Sequence, residues 1–88
     1  MSKVYGVLLT DLGWNDLEVA LKGYYSEGPD GKYIYCKNVH PDGHYFVMEA
    51  ACKNPNGETF EAEISIPHHY IKFVVSASEK KQIGFMRD

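Results

Sequence analysis

The chain has 88 residues, 44% of them hydrophobic and 24% charged, which fills one domain, leaves too little for two, and falls outside the disordered class. A formal charge of −3 argues against a surface built to grip nucleic-acid phosphates or anionic lipid, since both need an excess of Lys and Arg. The longest run without a charged residue, Ile64 to Ile71, is eight residues long and holds Pro67, His68 and His69, so no membrane span or signal-peptide core is expected. A single cytoplasmic domain over 1–88 is the expectation.

Val4 to Thr10 is an apolar strand candidate, and Asp11 to Asp16 reads as a turn containing Gly13, with Trp14 closing one end of the core. From Asp16 to Tyr24 the pattern is ambiguous. Leu17, Val19 and Leu21 alternate like a strand, the favoured reading, while Leu17, Ala20, Leu21 and Tyr24 also share one helix face. Gly23 is placed as a bulge that resets the alternation.

The middle of the chain repeats one corner: Gly28-Pro29-Asp30-Gly31-Lys32, His40-Pro41-Asp42-Gly43-His44 and Asn54-Pro55-Asn56-Gly57-Glu58. Proline has φ preset for a type I turn, Asp or Asn suits the next position, and Gly accepts the left-handed conformation that follows, which makes a three-residue hairpin loop with a G1 bulge. The second corner then predicts His40 opposite His44, Cys36 opposite Met48 and Ile34 opposite Ala50. The third predicts Cys52 opposite Phe60, Ala50 opposite Ala62, Met48 opposite Ile64 and Phe46 opposite Ile66. Both registers put Ile34, Cys36, Phe46, Met48, Ala50, Cys52, Phe60, Ala62, Ile64 and Ile66 on one core face. Lys37, Glu49, Lys53, Glu61, Glu63 and Ser65 fall on the other, which reads as solvated.

Pro67 ends ladder donation, so Ile66 to Val75 reads as strand, one helical turn, strand. Glu79-Lys80-Lys81 reads as a solvated hairpin turn before Ile83-Gly84-Phe85-Met86. The predicted fold is all-β: an antiparallel meander of six or seven short strands curled into a small barrel or rolled sheet, with a one-turn helix near Pro67–Tyr70. The segment Ile66-Pro67-His68-His69-Tyr70-Ile71-Lys72-Phe73-Val74-Val75, with Leu17 to Val75 as the barrel, resembles the small barrels of the SH3-like and Sm-like groups. The glycine and asparagine signature with which Sm-like proteins bind uridine has no match here and the chain is acidic, so no family site residue carries over.

Four features bear on chemistry. Cys36 and Cys52 are offset by four residues in the predicted register, about 14 Å along the sheet, too far for a disulfide, so both are expected as free core thiols without a nucleophilic role. His40 and His44 flank one loop with side-chain roots about 5 Å apart. That spacing suits zinc or a similar ion, with Asp42, His68 or His69 completing the set. Exposed loop-flanking histidines with no cofactor are the plainer reading. Glu49 lies opposite Glu63 beside Glu61, a like-charge arrangement that Lys37, Lys53 or a partner's cation would relieve. The long cleft that a glycosidase's acid/base pair needs is more than so short a chain is expected to build alone, which favours a solvated face or a docking surface.

Tyr33, Tyr35 and Tyr45 fall opposite the predicted core. There they stack on bases, anchor a protein interface, or form a second core layer. The function expected from these features is a non-enzymatic binding or assembly module. It self-associates, most simply as a dimer, and docks a protein partner through Tyr33, Tyr35, Tyr45, Lys37, Val47, Glu49 and Glu63. A nucleic-acid-binding barrel and a His40–His44 metal protein are the alternatives.

Overall fold

A computed structural model describes residues 3–86; residues 1, 2, 87 and 88 of the expected domain lie outside the described residues. Six strands form one antiparallel sheet: β1 (Val4–Leu9), β2 (Ser26–Gly28), β3 (Gly31–Asp42), β4 (Tyr45–Lys53), β5 (Thr59–Pro67) and β6 (Ile71–Ala77). The order is β5-β4-β3-β1-β6, with β2 paired to β3. The sheet is rolled and not closed, so β5 and β6 are its edges. A single 3-10 turn, His68–Tyr70, precedes β6, where the sequence predicts one helical turn.

The roll is made by β3, whose residues Ile34 to Cys36 pair with β1 while Cys36 to Asp42 pair with β4. A bulge between Cys36 and Asn38 separates the two halves and bends the strand. The sheet thus includes Val4–Leu9 as an interior strand between β3 and β6, upstream of the predicted barrel start at Leu17.

Of the three repeated corners only the last makes the predicted loop. Gly57, at φ +84°, donates its N–H to the Asn54 carbonyl at 2.9 Å, and Asn54 N–H bonds Glu58 O at 2.9 Å. Asn54 Oδ1 accepts the N–H of Asn56 and of Glu58, each at 3.0 Å, an Asx turn that fixes the corner. Every predicted β4–β5 pair is present, from Cys52 with Phe60 to Phe46 with Ile66. The other two corners close on two residues. Gly28 pairs with Gly31, and Asp42 with Tyr45 around Gly43-His44, where Gly43 alone has positive φ, +61°, as a type II′ turn requires.

Cys36 therefore lies opposite Ala50, not Met48, and Met48 lies opposite Val39 and Ile64. The shift is three residues from the corner to Asn38, which turns Val39 inward in its place, and the bulge reduces it to two at Cys36, which keeps side-chain parity, so the predicted core face survives the altered register. Ile34, Cys36, Met48, Ala50, Cys52 and Ile66 are buried with Val7, Leu9 and Leu21, and Phe46 and Ile64 pack against them. Phe60 is the exception, 37% exposed at the start of β5.

Two predicted elements are corrected. Asp11 to Asp16 is not a turn, and Asp16 to Tyr24 is not a strand: Asp11–Leu17 is a helix, α1, followed by hydrogen-bonded turns to Tyr24. Thr10 supplies the reason, since its Oγ1 accepts Gly13 N–H at 2.9 Å as an N-cap and Asp11 places a carboxylate in the first turn. Leu21 N–H bonds Leu17 O at 2.8 Å, which sets both leucines toward the core and leaves Val19 88% exposed.

The outer face is also covered. Lys80–Gln82 is a 3-10 turn closed by a Glu79–Gln82 capping box, not a hairpin, and the chain continues as a second 3-10 turn, Gly84–Met86. Ile83, Phe85 and Met86 pack on Tyr33, with Val4, Leu8, Tyr35, Val75 and Ala77 around them. For Tyr33 and Tyr35 this is the second core layer among the three roles the sequence allows. The apolar surplus on that face finds its cover within the chain.

Candidate functional site

The Asn54–Glu58 corner fixes β5 against β4, and strand alternation then puts Tyr45, Val47, Glu49 and Ala51 of β4 outward beside Glu61, Glu63 and Ser65 of β5. Glu49 and Glu63 are directly opposite, as the register predicts. Neither forms an ion pair among the described residues. Lys37, at the β3 bulge, reaches Glu61 instead, Nζ to Oε2 at 3.4 Å. Both side chains of that pair are mostly exposed, so it contributes little.

Of the residues predicted to bind, the structure brings four together, Tyr45, Val47, Glu49 and Glu63, with Lys37 at their margin. Tyr45 is 51% exposed, whereas Val47 is 5% exposed and offers a partner almost no surface. Tyr33 is not part of this face, and half-buried Tyr35 reaches only its far end, in a cleft with Lys37, Ala51 and Glu61. Tyr33 is buried under the C-terminal segment, and Lys80 Nζ lies 5.8 Å from the Tyr33 ring and 5.2 Å from that of Tyr35.

Because Glu49 and Glu63 repel each other, Glu63→Lys is expected to stabilise the fold by about 0.5 kcal/mol by converting a like-charge pair into an attractive one. For a domain of this size that raises the thermal midpoint by roughly 2–4 °C. Calorimetry at low and high salt checks the sign, and the gain should shrink with salt.

The histidines do not meet as predicted. His40 lies opposite Val47, and His44 sits in the two-residue turn. His44 instead approaches the turn before β6: His68 N–H donates to His44 O at 3.4 Å, and His68 Nε2 is 3.3 Å from Gly43 O. An open cleft of about 440 Å³ lies between His44, Tyr45, Pro67, His68 and His69. The rings of His68 and His69 pack on Phe46 and Tyr70, at centroid distances of 6.1 Å and 4.3 Å. Among the described residues no three His, Cys, Asp or Glu side chains converge to hold a metal ion. The zinc reading thus loses the His40–His44 geometry on which it stood.

The cysteines are free, and the two-residue closure of the second corner brings them closer than predicted, with Cys52 two residues from Ala50, the partner of Cys36. Burial, reinforced by Cys52, pushes the Cys36 thiol up to about 12. Its Sγ–H points to Ile34 O at 3.7 Å. Such a thiol is protonated near neutrality and is not a nucleophile.

A second cleft, of about 390 Å³, went unread in the sequence. It lies between α1 and the β2–β3 corner, lined by Asp11, Trp14, Glu18, Asp30, Lys32 and Lys72. Glu18 Oε1 binds Lys32 Nζ at 2.8 Å, and this hydrogen bond holds the ammonium above its ordinary value. Nearby, Tyr70 donates to Asp16 Oδ2 at 2.6 Å, which raises the phenol and ties α1 to the turn before β6. Only the helix cap at Thr10 could have revealed this cleft, by turning the 11–17 segment into a helix.

No helix among the described residues is long and apolar enough to cross a membrane. No family model, curated protein or solved structure matches the chain.

Proposed function

We propose that the protein is a non-enzymatic binding and assembly module that docks a protein partner through the outward face of β4 and β5. Tyr45 supplies the exposed apolar part and Glu49 with Glu63 the acidic part. The observation that carries this reading is the Glu49–Glu63 pair, two carboxylates held opposite one another with no ion-pairing cation from the described residues. Like charges so placed cost stability, and a cationic partner removes the cost.

Nucleic acid is the weaker alternative, because Tyr33 has 1% exposure and offers no stacking surface while the C-terminal segment is docked. The order β5-β4-β3-β1-β6 with one turn before β6 supports the resemblance to SH3-like barrels.

The test is cross-linking in native extract with a water-soluble carbodiimide, which joins carboxylates to lysines at contact. Links from Glu49 or Glu63 to a lysine of another protein are expected, and their loss in the E49Q/E63Q variant. Light scattering separates that partner from a second copy of the chain. Labelling with no link from either glutamate would overturn the proposal.

A further inference from the structure

β5 is an edge that neither a bulge nor an interior proline interrupts, and whose charges, Glu61 and Glu63, are of one sign. It is nine residues long, its register with β4 runs from Tyr45–Pro67 to Lys53–Thr59 without a bulge, and its only proline is the last residue. Natural edges of this length are normally interrupted, charged against pairing, or covered.

The bond from Asn54 N–H to Glu58 O sets the phase of the ladder. Hydrogen-bonded pairs alternate from there, so Phe60, Ala62 and Ile64 bond β4, while Glu61, Glu63 and Ser65 turn their N–H and C=O groups outward. Those outward groups have no partner strand, since β5 ends the sheet. A strand laid along this edge would place side chains alternately beside Glu61 and Glu63 on one face and beside Phe60, Ala62 and Ile64 on the other.

A second copy is a poor occupant. Fully overlapped antiparallel pairing of β5 with itself, the arrangement a two-fold axis produces, sets Glu63 against its own copy with Glu49 alongside in each chain. The complementary occupant alternates cations with aliphatic residues. Resting on the docking reading above, we infer that the free edge of β5 takes up an extended cationic–aliphatic segment of a protein partner as one more strand, with backbone bonds at Glu61, Glu63 and Ser65.

The probe is a fluorescein-labelled ten-residue peptide of alternating Lys and Val, titrated into the full chain and followed by anisotropy and amide hydrogen exchange. Saturable binding is expected, roughly tenfold or more tighter than that of an alternating Glu and Val peptide or of the Lys–Val peptide N-methylated along its backbone. Exchange should slow at the amides of Glu61, Glu63 and Ser65. Glu63→Lys should weaken binding by roughly tenfold while the thermal midpoint holds or rises, which separates lost binding from lost folding. Equal binding by the N-methylated peptide without protection on β5 would overturn strand addition and leave face docking standing. No binding by either Lys–Val peptide would count against both. Protection of β5 that grows with protein concentration in the absence of peptide would make a second copy the occupant and overturn the choice of partner.

Discussion

Replacing Gly28 with alanine is expected to unseat the C-terminal segment and destabilise the protein by about 3 kcal/mol. A Cβ at Gly28 would sit 2.1 Å from the carbonyl oxygen of Phe85 and 3.1 Å from the Tyr33 ring. A backbone oxygen cannot swing aside as the end of a side chain can, so the segment 83–86 must move as a unit. Moving it partly uncovers Ile83, Phe85 and Met86 together with Tyr33, which they bury, and since each large apolar side chain fully returned to water costs about 1.5–3 kcal/mol, the loss corresponds to about one or two of the four.

Gly6 makes a second close seat, since a Cβ there would lie 2.8 Å from the Phe85 ring and 2.9 Å from Met86 Sδ. Those atoms end flexible side chains, so Gly6→Ala should cost less than Gly28→Ala. Gly84→Ala is the control, with nothing within 4 Å of its Cβ. Thermal melts should place Gly28→Ala roughly 10 °C or more below the parent, with faster amide exchange at Phe85 and Met86. An unchanged melt with Phe85 still protected would show that the segment is not held by this contact.

The same segment marks where the sequence stopped being readable. Alternation correctly placed Tyr33 and Tyr35 away from the first core. What covers them arrives some fifty residues later as Ile83-Gly84-Phe85-Met86, too short for any period and docked through two glycines, so no local window shows it. The repeated corners were readable in proportion to their side chains. Asn54 has an amide oxygen that holds both Asn56 and Glu58, while the equivalent positions are Gly28, with no side chain, and His40, with no carbonyl. Without that clamp the other two corners closed on two residues, using Gly31 at φ +116° and Gly43 at φ +61°.

The core list outlasted the lost registers because the β3 bulge absorbed the odd residue. Cys36 stayed inward against Ala50, and Val39 replaced Asn38 on the inner face. For the site, Glu49 opposite Glu63 followed directly from the one corner that formed. The histidine pair rested on a corner that did not. Helix α1 escaped a reading by periodicity because its first apolar residue, Leu12, is 57% exposed. Gly13, unfavourable in a helix by about 1 kcal/mol, is there for fit: a Cβ would lie 3.0 Å from that of Tyr70.

Alkaline pH is expected to weaken the fold through Cys36, and to do so far less in Cys36→Ala. The buried thiol has a folded-state pKa raised from 9.0 to about 12, first by loss of hydration and then by Cys52. Below pH 9 the thiol is protonated in both states and its contribution is complete. Between 9 and 12 the unfolded chain releases a proton that the folded chain keeps, so stability falls by about 1.4 kcal/mol per pH unit, about 4 kcal/mol across the window. The phenol of Tyr70, raised chiefly by its hydrogen bond to Asp16, is lost in the same direction at high pH, but equally in both proteins, so it cancels in their difference.

Urea unfolding at pH 8, 9, 10 and 11 provides that difference. Cys36→Ala starts lower, by about 1 kcal/mol for the lost contacts, and the two curves should converge and then cross as pH rises. Parallel curves would mean that the thiol ionises in the folded protein as easily as in the unfolded chain. That outcome requires water to reach the seam between Ile34, Cys36 and Ala50, all fully buried here, and the inner face of the rolled sheet would then be open where β3 bends.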